Sequence, residues 1–418
     1  MIGLLCNEPE CHLKNSEANL CLSILFEPIN LGPLTIKNRF VRSATFEAMT
    51  SENGEVTNQL VRLYRNLARG QVGLIITGCS YVQATGKFLN SQTGFHDDAT
   101  IAGWKRLVDT IHEEGGTIAV QLGLGGIQGV KEKGMRYLPA PSGGIRNLAN
   151  FATSREMTEA EIQETIERFG AAASRAIAAG VDAIEIHAAH GYLVSEFLSP
   201  YFNRRDDSWG GSDENRFRFL KEIVAAVKKS MPAETALLVK LNTNDHAKGG
   251  GITPQLALIY AGWLANLGID GLEVSCGMAN FSPFNMSRGM APYDDFARIY
   301  PKWQRWIAKP AMKRVLKPQP LEGEYNLEAS KLIKPVLGNL PLILVGGLRS
   351  VARMETIIQE GTADMISMSR PFVREPMLVK NIWEGKIDAV SCTSCNRCLA
   401  AITTGLPLAC YVNGLPKE

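Results

Sequence analysis

Two hydrophobic patterns alternate along the chain. Short, nearly continuous apolar runs occupy Phe40–Ala44, Val72–Gly78, Thr117–Leu122, Ala183–His187, Leu237–Leu241, Gly271–Ser275, Leu342–Gly346 and Met365–Ser369. Runs of this kind predict parallel strands covered on both faces. Helical periodicity fills most of the gaps. Leu60, Leu63, Tyr64 and Leu67 share one stripe of a helix over Asn58–Ala68. Thr158 and Glu161 form a capping box that opens a helix running to Gly180. Thr253 followed by Pro254 opens another, closed by Gly268, and Ser350 opens one that Gly361 closes. Eight such β and α units predict an α/β fold of the (β/α)8 TIM-barrel class in preference to an open doubly wound sheet.

The rest of the chain is arranged around that barrel. Residues 1–24 read as an N-terminal extension, 25–385 as the barrel and 386–418 as a cysteine-rich C-terminal tail outside it. The long sixth-to-seventh connection contains Phe281–Gln319, rich in Pro, Trp, Met and Arg, which predicts an inserted lobe or lid. A barrel of this class holds 418 residues as one large domain where length alone suggests several. Charge narrows the partners. Forty-four Lys and Arg against forty-two Asp and Glu leave +2, which argues against nucleic acid and fits a small-molecule substrate. No apolar run is long enough to span a membrane, and the acidic start does not read as a signal peptide, so the expected location is cytoplasmic. The oligomeric state is left open, a homo-oligomer among the options.

Active sites of this fold form at the C-terminal ends of the strands. There the sequence places Cys79, Gln121, the His187-Ala-Ala-His190-Gly-Tyr192 group, Lys240, Gly346-Gly347 and Ser369-Arg370. The glycine pair after the seventh run and Arg370 after the eighth suit a phosphate, held by backbone N–H groups and a guanidinium fork. Gly123–Gly126 lacks the spacing and acidic partner of a dinucleotide loop. Leu238, Lys240 and Asn242 share a strand face that turns polar toward the site; Lys240 there stabilises an anionic ligand, pairs with an internal carboxylate such as Glu185, or both. The histidine spacing does not suit zinc. It suits two imidazole donors gripping a carbonyl or phenolate oxygen, with the Tyr192 hydroxyl at the same mouth.

Together these residues resemble the Old Yellow Enzyme family of FMN-dependent oxidoreductases over roughly Leu25–Pro376. The resemblance is carried by Leu25-Phe-Glu-Pro28, Leu34-Thr-Ile-Lys-Asn-Arg39, Glu185-Ile-His187-Ala-Ala-His190-Gly-Tyr192-Leu, Phe197-Leu-Ser-Pro200, Asn203-Arg-Arg205, Trp209-Gly-Gly211, Asn215-Arg216, Val345-Gly-Gly347 and Ser369-Arg-Pro-Phe372. It implies that Ala44, Thr45 and Cys79 lie along the flavin, that Gln121 and Lys240 contact its pyrimidine end, and that Gly346, Gly347, Ser369 and Arg370 hold the FMN phosphate. It implies further that His187 and His190 bind the substrate carbonyl and that Tyr192 donates the proton. The implied reaction is ping-pong: NAD(P)H gives a hydride to flavin N5, which passes it to an α,β-unsaturated carbonyl compound. Alternatives are a dehydrogenase or demethylase running the flavin oxidatively, and an electron-transfer flavoprotein. Phe46 and Ala48 depart from the family's usual flavin-side residues, which puts the pocket's width in question.

The nine cysteines are unevenly spread. Cys392, Cys395, Cys398 and Cys410 have short spacings that suit an iron–sulfur cluster or structural zinc. They resemble the cysteine run after the barrel in the 2,4-dienoyl-CoA reductase and trimethylamine dehydrogenase group, which binds a [4Fe–4S] cluster, although one gap is a residue shorter. The eight residues that follow Cys410 lead us to expect this group's cysteine run without its additional flavin and nucleotide domains. Cys6, Cys11 and Cys21 are too irregularly spaced to suggest a site.

Overall fold

The computed structural model describes residues 23–131, 135–147, 150–279 and 281–417; Cys6, Cys11 and Cys21 lie outside them. Eight parallel strands close into a barrel: β1 (Phe40–Arg42), β2 (Leu74–Ile76), β3 (Ile118–Gly123), β4 (Ala183–Ala188), β5 (Ala236–Asn242), β6 (Gly271–Ser275), β7 (Leu342–Val345) and β8 (Met365–Met368). Each lies in one of the eight apolar runs, and β8 pairs with β1 to complete the circle. Every strand residue is buried apart from backbone edges, as expected where helices cover the outside and side chains fill the inside.

The inward-facing residues follow a period of two and change character along the barrel axis. Near the N-terminal end they are apolar. Val41, Leu74, Ile76, Ala119, Ala183, Ala236, Leu238, Ile343 and Met365 pack together with Leu31 and Ile36. The last two belong to a hairpin, Ile29–Leu31 against Leu34–Ile36, that plugs this end. One step further along the same strands stand Gln121, Glu185, His187, Lys240, Glu273, Ser275 and Ser367, all buried. Parallel register places Lys240 opposite both His187 and Glu273. A sealed apolar floor thus supports a polar layer at the end where the site forms.

The outer ring comprises α1 (Asn58–Arg69), α2 (Ile101–Glu113), α3 (Glu159–Ala178), α4 (Asp213–Lys229), α5 (Pro254–Asn266), α7 (Leu327–Ile333), α8 (Val351–Gln359) and α9 (Leu378–Trp383). The sequence signals at their starts hold. Thr158 and Glu161 exchange both capping-box bonds, Pro254 stands at the first position of α5, and Ser350 accepts from the Arg353 N–H. Such caps each contribute about 1 kcal/mol.

The insert between β6 and β7 carries α6 (Arg305–Val315), and α10 (Arg397–Thr403) follows the first two cysteines of the tail and contains the third. The two segments share one small core. Phe284 and Phe296 of the insert pack with Ala400 of α10, and Met312, Leu316 and Leu399 add to it. The tail lies outside the barrel strands, as its sequence position suggests, and packs against the insert. Asn396 Nδ2 donates to the Ser287 and Met290 carbonyls, and the Leu408 N–H donates to the Glu47 carbonyl, which fixes it across the barrel mouth. No helix of the described residues is long and apolar enough to cross a membrane.

Candidate active site

A solvent-open cavity of about 240 Å³ occupies the C-terminal end of the barrel. Its wall contains Ala44, Thr45, Cys79, Gln121, His187, His190, Tyr192, Lys240, Gly346, Gly347, Ser369 and Arg370. The structure thus gathers all twelve non-cysteine-tail residues singled out in the sequence, with Cys79, around one space. Phe46 is also in the wall.

Lys240 does make an internal ion pair, but with Glu273 and not with Glu185. Its Nζ lies 2.8 Å from Glu273 Oε2 and 2.7 Å from Ser43 Oγ. The register explains the choice: Lys240 is level with Glu273, whereas Glu185 is level with Leu238, one inward position deeper. Glu273 also accepts from Ser367 Oγ at 2.6 Å, and Glu185 accepts from Gln121 Nε2 at 2.6 Å. Burial pushes both carboxyl groups up. For Glu273 burial is the largest influence, but the Lys240 charge and the hydrogen bonds from Lys240 and Ser367 together outweigh it and hold the group below its ordinary value. For Glu185, burial and the neighbouring Glu273 charge keep it well above. The layer therefore carries one ion pair and one readily protonated carboxyl, rather than two free anions.

His187 and His190 meet edge to face, with ring centroids 5.1 Å apart, and the Tyr192 ring lies 5.2 Å from that of His187. His190 takes a left-handed backbone conformation (φ 63°) at the turn after β4, and its Nε2 lies 2.7 Å from Ser275 Oγ on β6. Burial, reinforced by the charge on Lys240, pushes His190 down to about 3; burial, His190 and Lys240 push His187 well below its ordinary value. Both rings are neutral at physiological pH. Burial raises the Tyr192 hydroxyl, so it stays protonated. The trio is a set of neutral donors aimed at one place, suited to an oxygen acceptor beside a proton-accepting atom.

At the opposite end, Gly346 and Gly347 have φ of +115° and +83°, and a Cβ on Gly347 would lie 2.0 Å from the Gly323 carbonyl oxygen. Only glycine fits this doubly left-handed turn against its neighbouring strand of chain. Ser369 Oγ accepts from Thr45 Oγ1 at 2.8 Å, which links the first and last barrel strands. Arg370 Nη1 donates to the Arg288 carbonyl at 2.8 Å and to Asn396 Oδ1 at 2.5 Å. The guanidinium at the expected phosphate end is thereby tied to the cysteine loop.

Cys392, Cys395, Cys398 and Cys410 line a second, smaller cavity, which shares Arg370, Val373 and Cys398 with the first. Among the described residues, no three His, Cys, Asp or Glu side chains are grouped so as to hold a metal ion. All four thiols are free, and burial raises Cys398 to about 11.

Several residues in or behind the wall escaped the sequence reading. Glu273 and Ser275, which hold Lys240 and His190, sit two apart in the run Gly-Leu-Glu-Val-Ser; a polar alternation inside an apolar strand was the available signal. Phe88 stacks on Tyr192 with centroids 4.1 Å apart. Leu399, Ile402 and Leu408 of the tail also face the cavity. Nothing local marks these four, because a fold-back of distant chain brings them in.

Comparison with known proteins gives the arrangement a family. Residues 24–275 match the model of the NADH:flavin oxidoreductase / NADH oxidase family. A 4,4'-dithiodibutanoate disulfide reductase of Rhodococcus erythropolis is 30% identical over 91% of this chain and 93% of its own length. The solved structure of a 2-naphthoyl-CoA reductase in complex with 2-naphthoyl-CoA superposes with a TM-score of 0.80 at 26% identity, over 93% of this chain and 57% of that one. The chain thus spans little more than half of that larger reductase. Morphinone reductase in complex with tetrahydroNAD superposes with a TM-score of 0.65 at 25% identity, over 87% of this chain and 91% of its own. The chain belongs to the NADH:flavin oxidoreductase / NADH oxidase family, the Old Yellow Enzyme group that its motifs resemble.

Proposed function

We propose that this FMN-dependent oxidoreductase uses NAD(P)H to reduce alkenes conjugated to a carbonyl group. The observation that carries the reading is that two neutral imidazoles and a protonated tyrosine, in ring contact with one another, line the same cavity as the residues that would hold FMN. Lys240 and Gln121 form one group in its wall, Gly346, Gly347, Ser369 and Arg370 a second, and Ala44, Thr45 and Cys79 a third. These residues fit FMN, Lys240 and Gln121 toward the pyrimidine edge and the second group toward the phosphate.

When bound, FMN supplies a two-electron carrier between NAD(P)H and the alkene. With one cavity for both, the reductant and the substrate occupy it in turn. His187 and His190 donate hydrogen bonds to the carbonyl oxygen and draw electron density from the β-carbon. Tyr192 delivers its proton to the α-carbon, and Phe88 packs its far face and limits the width of what enters. Neutral donors serve this purpose because they stabilise developing oxygen charge without attracting anions to the empty site. The test is anaerobic: the purified protein should be yellow, bleach with NADPH and recover its colour with 2-cyclohexenone. Colourless protein that takes up no FMN would overturn the reading.

A second reading concerns the tail. Four thiols at short spacings that line one cavity suit a [4Fe–4S] cluster, with structural zinc as the alternative. A bound cluster would supply one-electron transfer, and the shared wall at Arg370 and Cys398 would set it beside the flavin cavity. Iron and acid-labile sulfide assays on anaerobically purified protein test this, and zinc in their place would refute it.

A further inference from the structure

The outer side of the insert has an exposure that neither the barrel nor the cavity explains. Helix α6 buries no residue, and its Met312 and Leu316 only lean on the small core shared with α10. On the other side, Trp303, Trp306 and Ile307 are 72%, 73% and 56% exposed. Ile299 and Val315 are exposed as well. By contrast Trp104 is fully buried and Trp209 nearly so, each with its indole N–H bonded to protein.

The same segment is strongly basic. From Phe296 to Leu321 the sequence holds Arg298, Lys302, Arg305, Lys309, Lys313, Arg314 and Lys317 and no Asp or Glu, in a chain whose net charge is only +2. Three of the cations are spent nearby: Lys309 pairs with Asp294, Arg298 with Asp295, and Arg305 donates to the Tyr300 carbonyl. Lys313, Arg314 and Lys317 lie at the exposed end of the helix, Lys313 with its Nζ 5.9 Å from the centroid of the Tyr293 ring.

The geometry points to peripheral docking of this face on an anionic lipid surface. Tryptophan and isoleucine on the outward side of a helix, with lysine and arginine at its flanks, match the arrangement that lies in a membrane interface: rings at the headgroup level, cations against lipid phosphates. A second copy is a poor occupant, since a two-fold pairing of this face would set the cations of one copy against those of the other. The apolar side chains project from a convex helix, where a flat, fluid surface accommodates them without a matching pocket. Such docking needs no spanning helix.

The test uses the full FMN-loaded chain with extruded vesicles, either phosphatidylglycerol mixed with phosphatidylcholine or phosphatidylcholine alone. Sedimentation with the anionic vesicles only is expected, weakening as salt rises to about 0.5 M. A Trp303→Ser/Trp306→Ser/Ile307→Ser variant should bind at least about tenfold more weakly, as should Lys313→Glu/Arg314→Glu/Lys317→Glu. These positions are exposed, so unaltered circular dichroism and FMN content should accompany the loss. No sedimentation of the unaltered chain overturns the proposal, as does undiminished binding by the triple serine variant. A dimer that the serine variant dissolves, or a salt-sensitive complex with an acidic protein in place of vesicle binding, would assign the face to a protein and overturn it too.

Discussion

Lys240 Nζ and Glu273 Oε2 lie 2.8 Å apart on neighbouring strands at the same register, with both side chains withdrawn from solvent. Removing one partner of such a pair leaves a buried charge without compensation, which typically costs about 3–5 kcal/mol. Glu273→Leu should therefore lower the unfolding free energy by about that amount. The double variant Lys240→Met/Glu273→Leu should lose clearly less than the sum of its single changes, because it removes both charges together. Urea unfolding of the four proteins checks the cycle. Strict additivity would mean the two groups do not interact.

Tyr192 has one proposed task, delivery of a proton to the α-carbon. Tyr192→Phe keeps the ring that Phe88 stacks on and removes only the hydroxyl. The rate of FMN reduction by NADPH should stay within about twofold, while the rate of flavin reoxidation by 2-cyclohexenone falls by about 10²–10⁴. Rapid mixing resolves the two half-reactions. Equal losses in both would place Tyr192 outside proton transfer.

The imidazole pair should be separable from cofactor binding. His187→Ala/His190→Ala removes the two donors on one side of the cavity and leaves the glycine turn and Arg370 on the other. Phenolic ligands, which offer an oxygen to such donors, should no longer perturb the flavin spectrum, while FMN content is unchanged. Phenol binding that survives in the double variant would contradict the assignment.

Much of this arrangement was written in the sequence. The eight apolar runs located the strands because a strand buried on both faces has nowhere to put a polar residue except at the site. Lys240, Glu185 and His187 stood out for that reason. What the sequence did not disclose were relations between distant positions. Glu185 is the carboxylate the sequence suggests for Lys240, and only the register of β5 against β4 and β6 assigns Glu273 in its place. Likewise no periodicity announces that Asn396 bonds the insert or that Leu408 bonds Glu47. Local pattern fixes which face a side chain takes; which chain crosses above it depends on the closed barrel.

Stability toward acid should report on the two histidines. Burial lowers both in the folded chain, His190 to about 3, whereas an unfolded histidine titrates near about 6.5. The folded state therefore binds fewer protons than the unfolded state between these values, and stability falls as pH decreases through that window. The contribution is fully present above about pH 6.5 and is lost progressively toward pH 3. Unfolding free energies measured from pH 7 to pH 4 should decline less steeply for His187→Asn/His190→Asn than for the unaltered chain. Parallel slopes would show that the imidazoles are not held neutral by burial.

The cysteine loop makes the last prediction, because it bears on two sites at once. Arg370 Nη1 is held by Asn396 Oδ1 and the Arg288 carbonyl, and Asn396 stands between Cys395 and Cys398. If the four thiols hold a cluster, the metal fixes the loop, the loop fixes Asn396, and Asn396 aims the guanidinium at the phosphate end of the flavin cavity. Cys395→Ser should then abolish the iron and labile sulfide and also weaken FMN retention, by about tenfold for one lost charge-assisted contact of roughly 1.5 kcal/mol. Asn396→Ala should weaken FMN retention to a similar degree while the iron content stays intact. Equilibrium dialysis of FMN together with iron analysis distinguishes the cases. FMN affinity unchanged in both variants would uncouple the loop from the flavin cavity, whatever the tail binds.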